Sequence, residues 1–152
     1  SLCSPTGWRL EEKLGATMAE VHGPVPRLKE EIGEQIDRFF SRLPTDHFTH
    51  RFNWTLMPHP NPMSRNKWQV NPASDPLWYR AERQSLRRLP KSGAIAFTIR
   101  VHICDLTSLL PIEGALASSW SAVETVPDDL RRYKGLDILS PVIGNWRRKN
   151  RA

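Results

Sequence analysis

The chain of 152 residues has a formal net charge of +6 and a pI of about 9.8, with 39% hydrophobic and 25% charged residues. These values predict one globular domain, and no apolar run approaches the roughly 18 residues that a membrane span requires. The two cysteines, Cys3 and Cys104, are far apart and form no C-x-x-C pair, which argues against a disulfide framework or a structural zinc site. Two reduced thiols in a cytoplasmic protein are the simplest interpretation.

Helical patterns come first along the chain. A short helical turn is predicted over residues 17–22, and it stops at His22-Gly23-Pro24. The clearest helix is predicted over residues 27–43, because apolar side chains recur on one face every 3.6 residues until Pro44 ends it. These apolar residues are Leu28, Ile32, Ile36, Phe39, Phe40 and Leu43.

Three strands are predicted next, over residues 48–57, 77–89 and 94–104. The third alternates most regularly, with one apolar side and one side of small and polar residues. A loop with five prolines, residues 58–76, separates the first two strands; loops of this length are uncommon and often functional. Trp68 within this loop is expected to be held against the body of the protein.

Helices follow the strands. They are predicted over residues 115–123 and 127–134, with a last helical turn around residues 142–146. The order of helices, three antiparallel strands and helices indicates an α+β fold with a small, incomplete sheet.

The second predicted strand is unusual because neither of its faces is apolar. One interpretation is an exposed edge strand whose charges prevent pairing with other chains. The other is the wall of a ligand site, in which Glu82 holds a cationic amine or a proton and arginines hold carboxylates. The small residues on one side of the third strand, Ala94 and Ala96, favour the second interpretation because they leave room for a ligand.

The histidines give weaker signals. His47 and His50 have H-x-x-H spacing but begin a strand and lack further zinc ligands in the sequence. His22 ends a helical turn where Gly23-Pro24 fix the exit of the chain, and a neutral imidazole held in this way is able to ligate a haem iron. A structural histidine is the alternative. Six tryptophans indicate either core packing or an aromatic wall around a flat cofactor.

Several motifs occur in one order along most of the chain. The longest is R-x-E-R-Q-x-L-x-R-L-P-x-S-G-A-I-x-F-T-I-R from Arg80 to Arg100. The others are W-R-L-x-E-K-L-G (residues 8–15), V-H-G-P-V-P (21–26), R-F-F (38–40), R-F-N-W (51–54) and Y-K-G-L (133–136). Together they resemble the haem-dependent oxidative N-demethylase family.

The resemblance implies a PAS-like, haem-binding alpha subunit that oxidises a small secondary amine such as dimethylamine with O2. It implies His22 as the ligand of a haem b iron, with Arg51 and Glu82 as distal or catalytic residues. Cofactor-binding roles are expected for the remaining site residues, which are Arg80, Arg83, Arg88 and Trp54. The arginines are expected to bind haem propionates or neighbouring subunits.

Electrons are expected from NADPH, through flavin and iron–sulfur centres on partner reductase subunits, and tetrahydrofolate is expected to accept the one-carbon product. Residues 1–146 are then the C-terminal portion of a single domain whose first strands precede Ser1, and residues 147–152 are a basic tail. A haem-binding sensor without amine chemistry is an alternative. A basic nucleic-acid-binding module is another, which no recognisable motif supports.

Overall fold

The computed structural model describes residues 11, 14–16, 20, 35, 38–62 and 68–150. The described residues include three strands, which form one antiparallel sheet in the order β1–β2–β3. A 3₁₀ turn and three helices follow, which confirms the predicted α+β class. The elements are β1 (Thr49–Met57), β2 (Trp78–Arg88), β3 (Ile95–Asp105), the turn Leu106–Leu109, α1 (Ala115–Thr125), α2 (Asp128–Tyr133) and α3 (Leu136–Asn150).

The helix predicted before the sheet is described only in part. Residues 35 and 38–41 are helical, and the chain leaves the helix at Leu43, whose N–H donates to the carbonyl of Phe40 at 3.3 Å. The rest of residues 27–43, and His22, lie outside the described residues. None of the described helices is both long and apolar enough to cross a bilayer.

The charged strand β2 is the central strand of the three. The edge-strand interpretation is therefore wrong, because β2 has a neighbour on each side. Four of its polar side chains are also buried, with between 5% and 9% of their surface exposed. Burial of polar groups is costly unless they are hydrogen-bonded, so the hydrogen bonds of these side chains determine whether their burial is tolerated. These residues are Arg80, Glu82, Gln84 and Ser85.

The β2–β3 hairpin has a register that its hydrogen bonds define at both ends. At the turn, the N–H of Gly93 donates to the carbonyl of Leu89 at 2.9 Å. The N–H of Leu89 donates to the carbonyl of Ala94 at 2.8 Å. Gly93 has a φ of 69°, so the turn is a bulge that needs a left-handed residue. At the far end, the N–H of Leu106 donates to the carbonyl of Leu77 at 2.9 Å, in the same register.

This register corrects the expectation about the small residues of the third strand. Gln84 lies opposite Ile99 and Glu82 lies opposite Val101, on the apolar side of β3. Ala96 lies opposite Arg87, on the other side. The β3 neighbours of Glu82 and Gln84 are therefore branched apolar side chains and not alanines.

The chain divides into two compact units. Residues 1–12, 55–80 and 103–152 form the first unit, and residues 13–54 and 81–102 form the second. The core of the first unit is apolar, with six side chains under 2% exposed. These six are Leu56, Leu77, Leu106, Leu136, Leu139 and Val142.

Helix α3 is longer than the helical turn predicted around residues 142–146. Its apolar residues recur every three or four positions and are buried, which fixes the helix by packing. Pro141 and Gly144 weaken the helical signal in the sequence because both have poor helix propensity. Asp137 in the first turn and the basic residues 147–149 in the last turn suit the helix dipole.

Trp68 is held against the first unit, as predicted. Its indole lies beside Gly135, where a built Cβ atom would be only 2.9 Å from Cζ3. The ring of His59 meets the indole edge-on, with 6.2 Å between centroids. The proline-rich loop is therefore anchored where the indole of Trp68 packs on Gly135.

Arg88 joins three parts of the second unit. Its guanidinium donates to the carbonyl oxygens of Phe40, Leu43 (3.4 Å) and Gly93 (2.9 Å). It therefore ties the helix end at residues 40–43 to the β2–β3 turn.

We expect Arg88→Met to lower the free energy of unfolding by about 1–2 kcal/mol, because three carbonyls lose their donor. The loss is limited because partly exposed carbonyls recover some hydrogen bonding from water.

Urea unfolding followed by circular dichroism measures this loss. Arg83→Met is the matched control, since Arg83 is an exposed arginine on the same strand. An equal loss in both variants would show that Arg88 contributes no more than strand propensity.

Tyr79 and Cys104 make the stability of the first unit sensitive to alkaline pH. Burial raises the pKa of Tyr79, and so does a thiolate at Cys104. Burial, followed by the charge of Asp105, raises the pKa of Cys104. The folded chain therefore keeps protons that the unfolded chain has already lost, so stability is fully present below the unfolded-state pKa values and falls as pH rises through the folded ones.

We expect the urea midpoint to fall between about pH 8 and pH 10.5, and to fall less steeply in Cys104→Ala. Parallel curves for the two proteins would contradict a contribution from this thiol.

Candidate functional site

The β-sheet of the second unit presents two chemically different faces. Alternation along the strands sends Arg51 and Asn53 of β1 and Glu82 and Gln84 of β2 to one face. We name these four residues the Glu82 cluster. Ile99 and Val101 of β3 lie on the same face, by the hairpin register.

The Glu82 cluster is a continuous chain of hydrogen bonds. Nε of Arg51 donates to Oε1 of Gln84. Nε2 of Gln84 donates to Oε2 of Glu82 at 2.8 Å, and Nδ2 of Asn53 approaches the same oxygen at 3.5 Å. The Gln84 amide is thus oriented at both ends, by a cation on one side and a carboxylate on the other.

Burial makes these contacts energetically important. Glu82 is 9% exposed and Gln84 is 5% exposed, whereas Arg51 is exposed. A buried carboxylate is stabilised by hydrogen-bond donors such as these amides. The arrangement is able to bind a cation or to accept a proton at Glu82, with Gln84 and Asn53 fixing the carboxylate.

The predicted site residues do not all lie on this face. Arg51 and Glu82 are brought together through Gln84, as described above. Arg83 and Trp54 lie on the opposite face, by strand alternation. A flat cofactor on one face of the sheet contacts only one of these two sets. The predicted roles of Arg83 and Trp54 stay predictions.

The structure describes two of the three remaining predicted residues. Arg80 is 7% exposed and belongs to the part of β2 in the first unit. Arg88 binds three backbone carbonyls, and a contact between this guanidinium and a propionate stays a prediction. His22, the predicted iron ligand, lies outside the described residues.

The remaining histidines have other contacts. Nδ1 of His50 is 2.9 Å from Oγ of Ser85, and Nδ1 of His47 is 2.9 Å from Oδ1 of Asp46. A backbone hydrogen bond, followed by the His47 side chain, lowers the pKa of Asp46. Over the part of the chain that the structure describes, no three His, Cys, Asp or Glu side chains group closely enough to hold a metal ion.

Gln84 and Asn53 were not predicted as site residues. Amides rarely give a sequence signal, since they lack charge and have many structural uses. The sequence nonetheless shows that Asn53 shares a face with Arg51 and that Gln84 shares a face with Glu82, because residues two apart on a strand point the same way. Only the pairing of β1 with β2 shows that these two pairs lie side by side.

The comparison with protein families agrees with the motifs. The family model described as haem-dependent oxidative N-demethylase, alpha subunit-like, matches residues 1–143. The match covers the Glu82 cluster and all the motifs noted in the sequence. The chain therefore belongs to the haem-dependent oxidative N-demethylase alpha subunit-like family.

Proposed function

We propose that this chain forms the haem-binding part of an enzyme that removes a methyl group oxidatively from a small secondary amine such as dimethylamine. In balance, dimethylamine, O2, NADPH and a proton give methylamine, formaldehyde, NADP⁺ and water. The electrons reach the chain through flavin and iron–sulfur centres on partner subunits, and tetrahydrofolate accepts the one-carbon product. Family membership supports the general kind of reaction.

The observation that carries the proposal is the buried carboxylate of Glu82 between two amides. A secondary alkylamine is cationic at neutral pH, and a buried carboxylate binds such a cation more strongly than an exposed one. Glu82 holds the ammonium group and accepts the proton that the amine loses before oxidation. Gln84 and Asn53 fix the direction of the carboxylate.

The face of the sheet that carries the Glu82 cluster supports the proposal of a bound haem. Phe97 and Ile99 are apolar side chains that are 49% and 44% exposed, and they share this face with the exposed cation Arg51. Phe97 and Ile99 would lie against the macrocycle, and Arg51 would bind a propionate. His22 is the proposed axial ligand of haem b. Bound haem supplies the iron centre at which O2 is activated.

We also propose a PAS-like fold. β1, β2 and β3 correspond to the last three strands of a PAS-like sheet. In this assignment residues 1–146 belong to one haem-binding domain, and the basic residues that follow begin in the last turn of α3.

Two measurements on the full-length protein with its reductase subunits test the proposal. We expect His22→Ala to shift or abolish the Soret band, while His102→Ala, a change at an exposed strand residue, leaves it unchanged. Dimethylamine should stimulate O2 consumption by the native complex. Bound haem without amine-dependent O2 consumption would refute the proposed enzymatic activity and favour a haem sensor. An unchanged Soret band in His22→Ala would refute His22 as the iron ligand.

A further inference from the structure

The second face of the sheet is basic and partly apolar, and we name it the arginine face. Within the second unit, its side chains come from alternate positions of all three strands. None of these described positions is an aspartate or glutamate. They are Phe48 just before β1, His50, Phe52 and Trp54 of β1, Ala81, Arg83, Ser85 and Arg87 of β2, and Ala96, Thr98, Arg100 and His102 of β3.

One row across the sheet concentrates these properties. The hairpin register places Arg100 directly opposite Arg83, and the β1–β2 contacts place Phe52 opposite Arg83 on its other side. Phe52 is 74% exposed, and both arginines are exposed. Like charges directly opposite each other destabilise a sheet, and no carboxylate from the three strands offsets them on this face. The repulsion between Arg83 and Arg100 therefore costs stability.

Neighbouring side chains hold the surface in place. The guanidinium of Arg87 lies over the ring of Phe48, 5.3 Å from its centroid, and its Nε donates to the carbonyl of Thr45 at 2.9 Å. His50 lies parallel to Phe48, with 6.1 Å between centroids, and contacts Ser85. The surface is thus ordered before any partner binds, which lowers the entropic cost of association.

We propose that the arginine face docks an acidic protein, the electron-transfer partner that carries an iron–sulfur centre. The identity of this partner rests on the proposed function; the docking itself does not. Phe52 is the apolar anchor, and Arg83 and Arg100 bind carboxylates of the partner, which removes the repulsion between them. Exposed aromatic and arginine side chains are the residue types enriched in such interfaces.

Two other occupants fit less well. A second copy of this chain also carries a net charge of +6, and a symmetric contact would bring arginines against arginines. A single-stranded nucleic acid stacks its bases on open aromatic rings. Arg87 covers one side of Phe48, so Phe52 is the principal exposed ring on this face.

The test uses a plant-type [2Fe–2S] ferredoxin, an acidic iron–sulfur carrier, titrated into the full-length ¹⁵N-labelled protein at low salt. We expect amide shifts confined to β1, β2 and β3 around Phe52, Arg83 and Arg100. Arg83→Glu/Arg100→Glu should weaken binding at least tenfold. Arg148→Glu/Lys149→Glu, which changes the same charge at the end of α3, is the matched control and should leave the affinity within twofold.

Arg83→Ala gives a result that a structural role would not give. It should weaken ferredoxin binding severalfold while the melting temperature stays the same or rises, because the repulsion with Arg100 is removed. Shifts that map elsewhere, equal weakening in the control, or tighter binding of an oligothymidine would overturn the proposal. Haem content and amine oxidation are measured separately, so their loss would count against the proposed function alone.

Discussion

Glu82→Gln is expected to reduce amine-dependent turnover by about 10²- to 10⁴-fold, the range typical for removal of a proton-transferring group. Glutamine keeps the size of the side chain and still accepts the hydrogen bond from Gln84, so the fold should persist. It cannot hold the ammonium group by charge or accept its proton. Steady-state O2 consumption with dimethylamine, at a fixed reductase concentration, measures the loss.

Two companion variants separate chemistry from structure. Glu113→Gln removes an exposed carboxylate in the first unit and should leave turnover unchanged. Gln84→Met breaks the link between Arg51 and Glu82 and should act indirectly, so its pH profile should shift while some activity remains. If Glu82→Gln retained more than half of the native turnover with a native melting curve, Glu82 would have no catalytic role.

Gly135→Ala is expected to lower the free energy of unfolding by about 2–4 kcal/mol, which combines a left-handed backbone cost with overpacking. Gly135 has a φ of 68°, and a Cβ atom there would lie 2.9 Å from Cζ3 of Trp68. For a chain of this size the melting temperature should fall by about 5–15 °C. Differential scanning calorimetry measures this change directly.

Gly114→Ala is the matched control for Gly135→Ala. Gly114 has a φ of 73° but no atom within 4 Å of a built Cβ. It therefore incurs the backbone cost alone, and its loss should be about 1–2 kcal/mol. Replacing Trp68 by Leu in the Gly135→Ala background should recover part of the difference. Equal losses at both glycines would show that the contact with Trp68 does not constrain this position.

Much of the fold follows from local pattern. Strict alternation predicted β3 to within a residue at each end, and the Pro-Lys-Ser-Gly sequence predicted the turn before it. Asp128 and Asp129 beside Pro127 indicated the start of α2, and Gly135 its end. These features depend on neighbours in sequence, so the sequence contains them directly.

Other features are set by partners distant in the chain. Pro141 and Gly144 concealed most of α3, because its helical conformation depends on burial of residues from Leu136 to Trp146 and not on propensity. The charges of β2 suggested an edge strand, whereas pairing with both β1 and β3 makes it central. Charge pattern alone does not distinguish a solvated strand from one whose polar groups are satisfied inside the protein.

The sequence by itself determined the α+β class, the three strands and the family. The tertiary structure alone decided which side chains share a face. Strand register depends on hydrogen bonds such as those of Leu89 with Ala94 and Leu106 with Leu77, and a slip of one residue moves every side chain to the other face. For that reason only the folded sheet separates the Glu82 cluster from the arginine face.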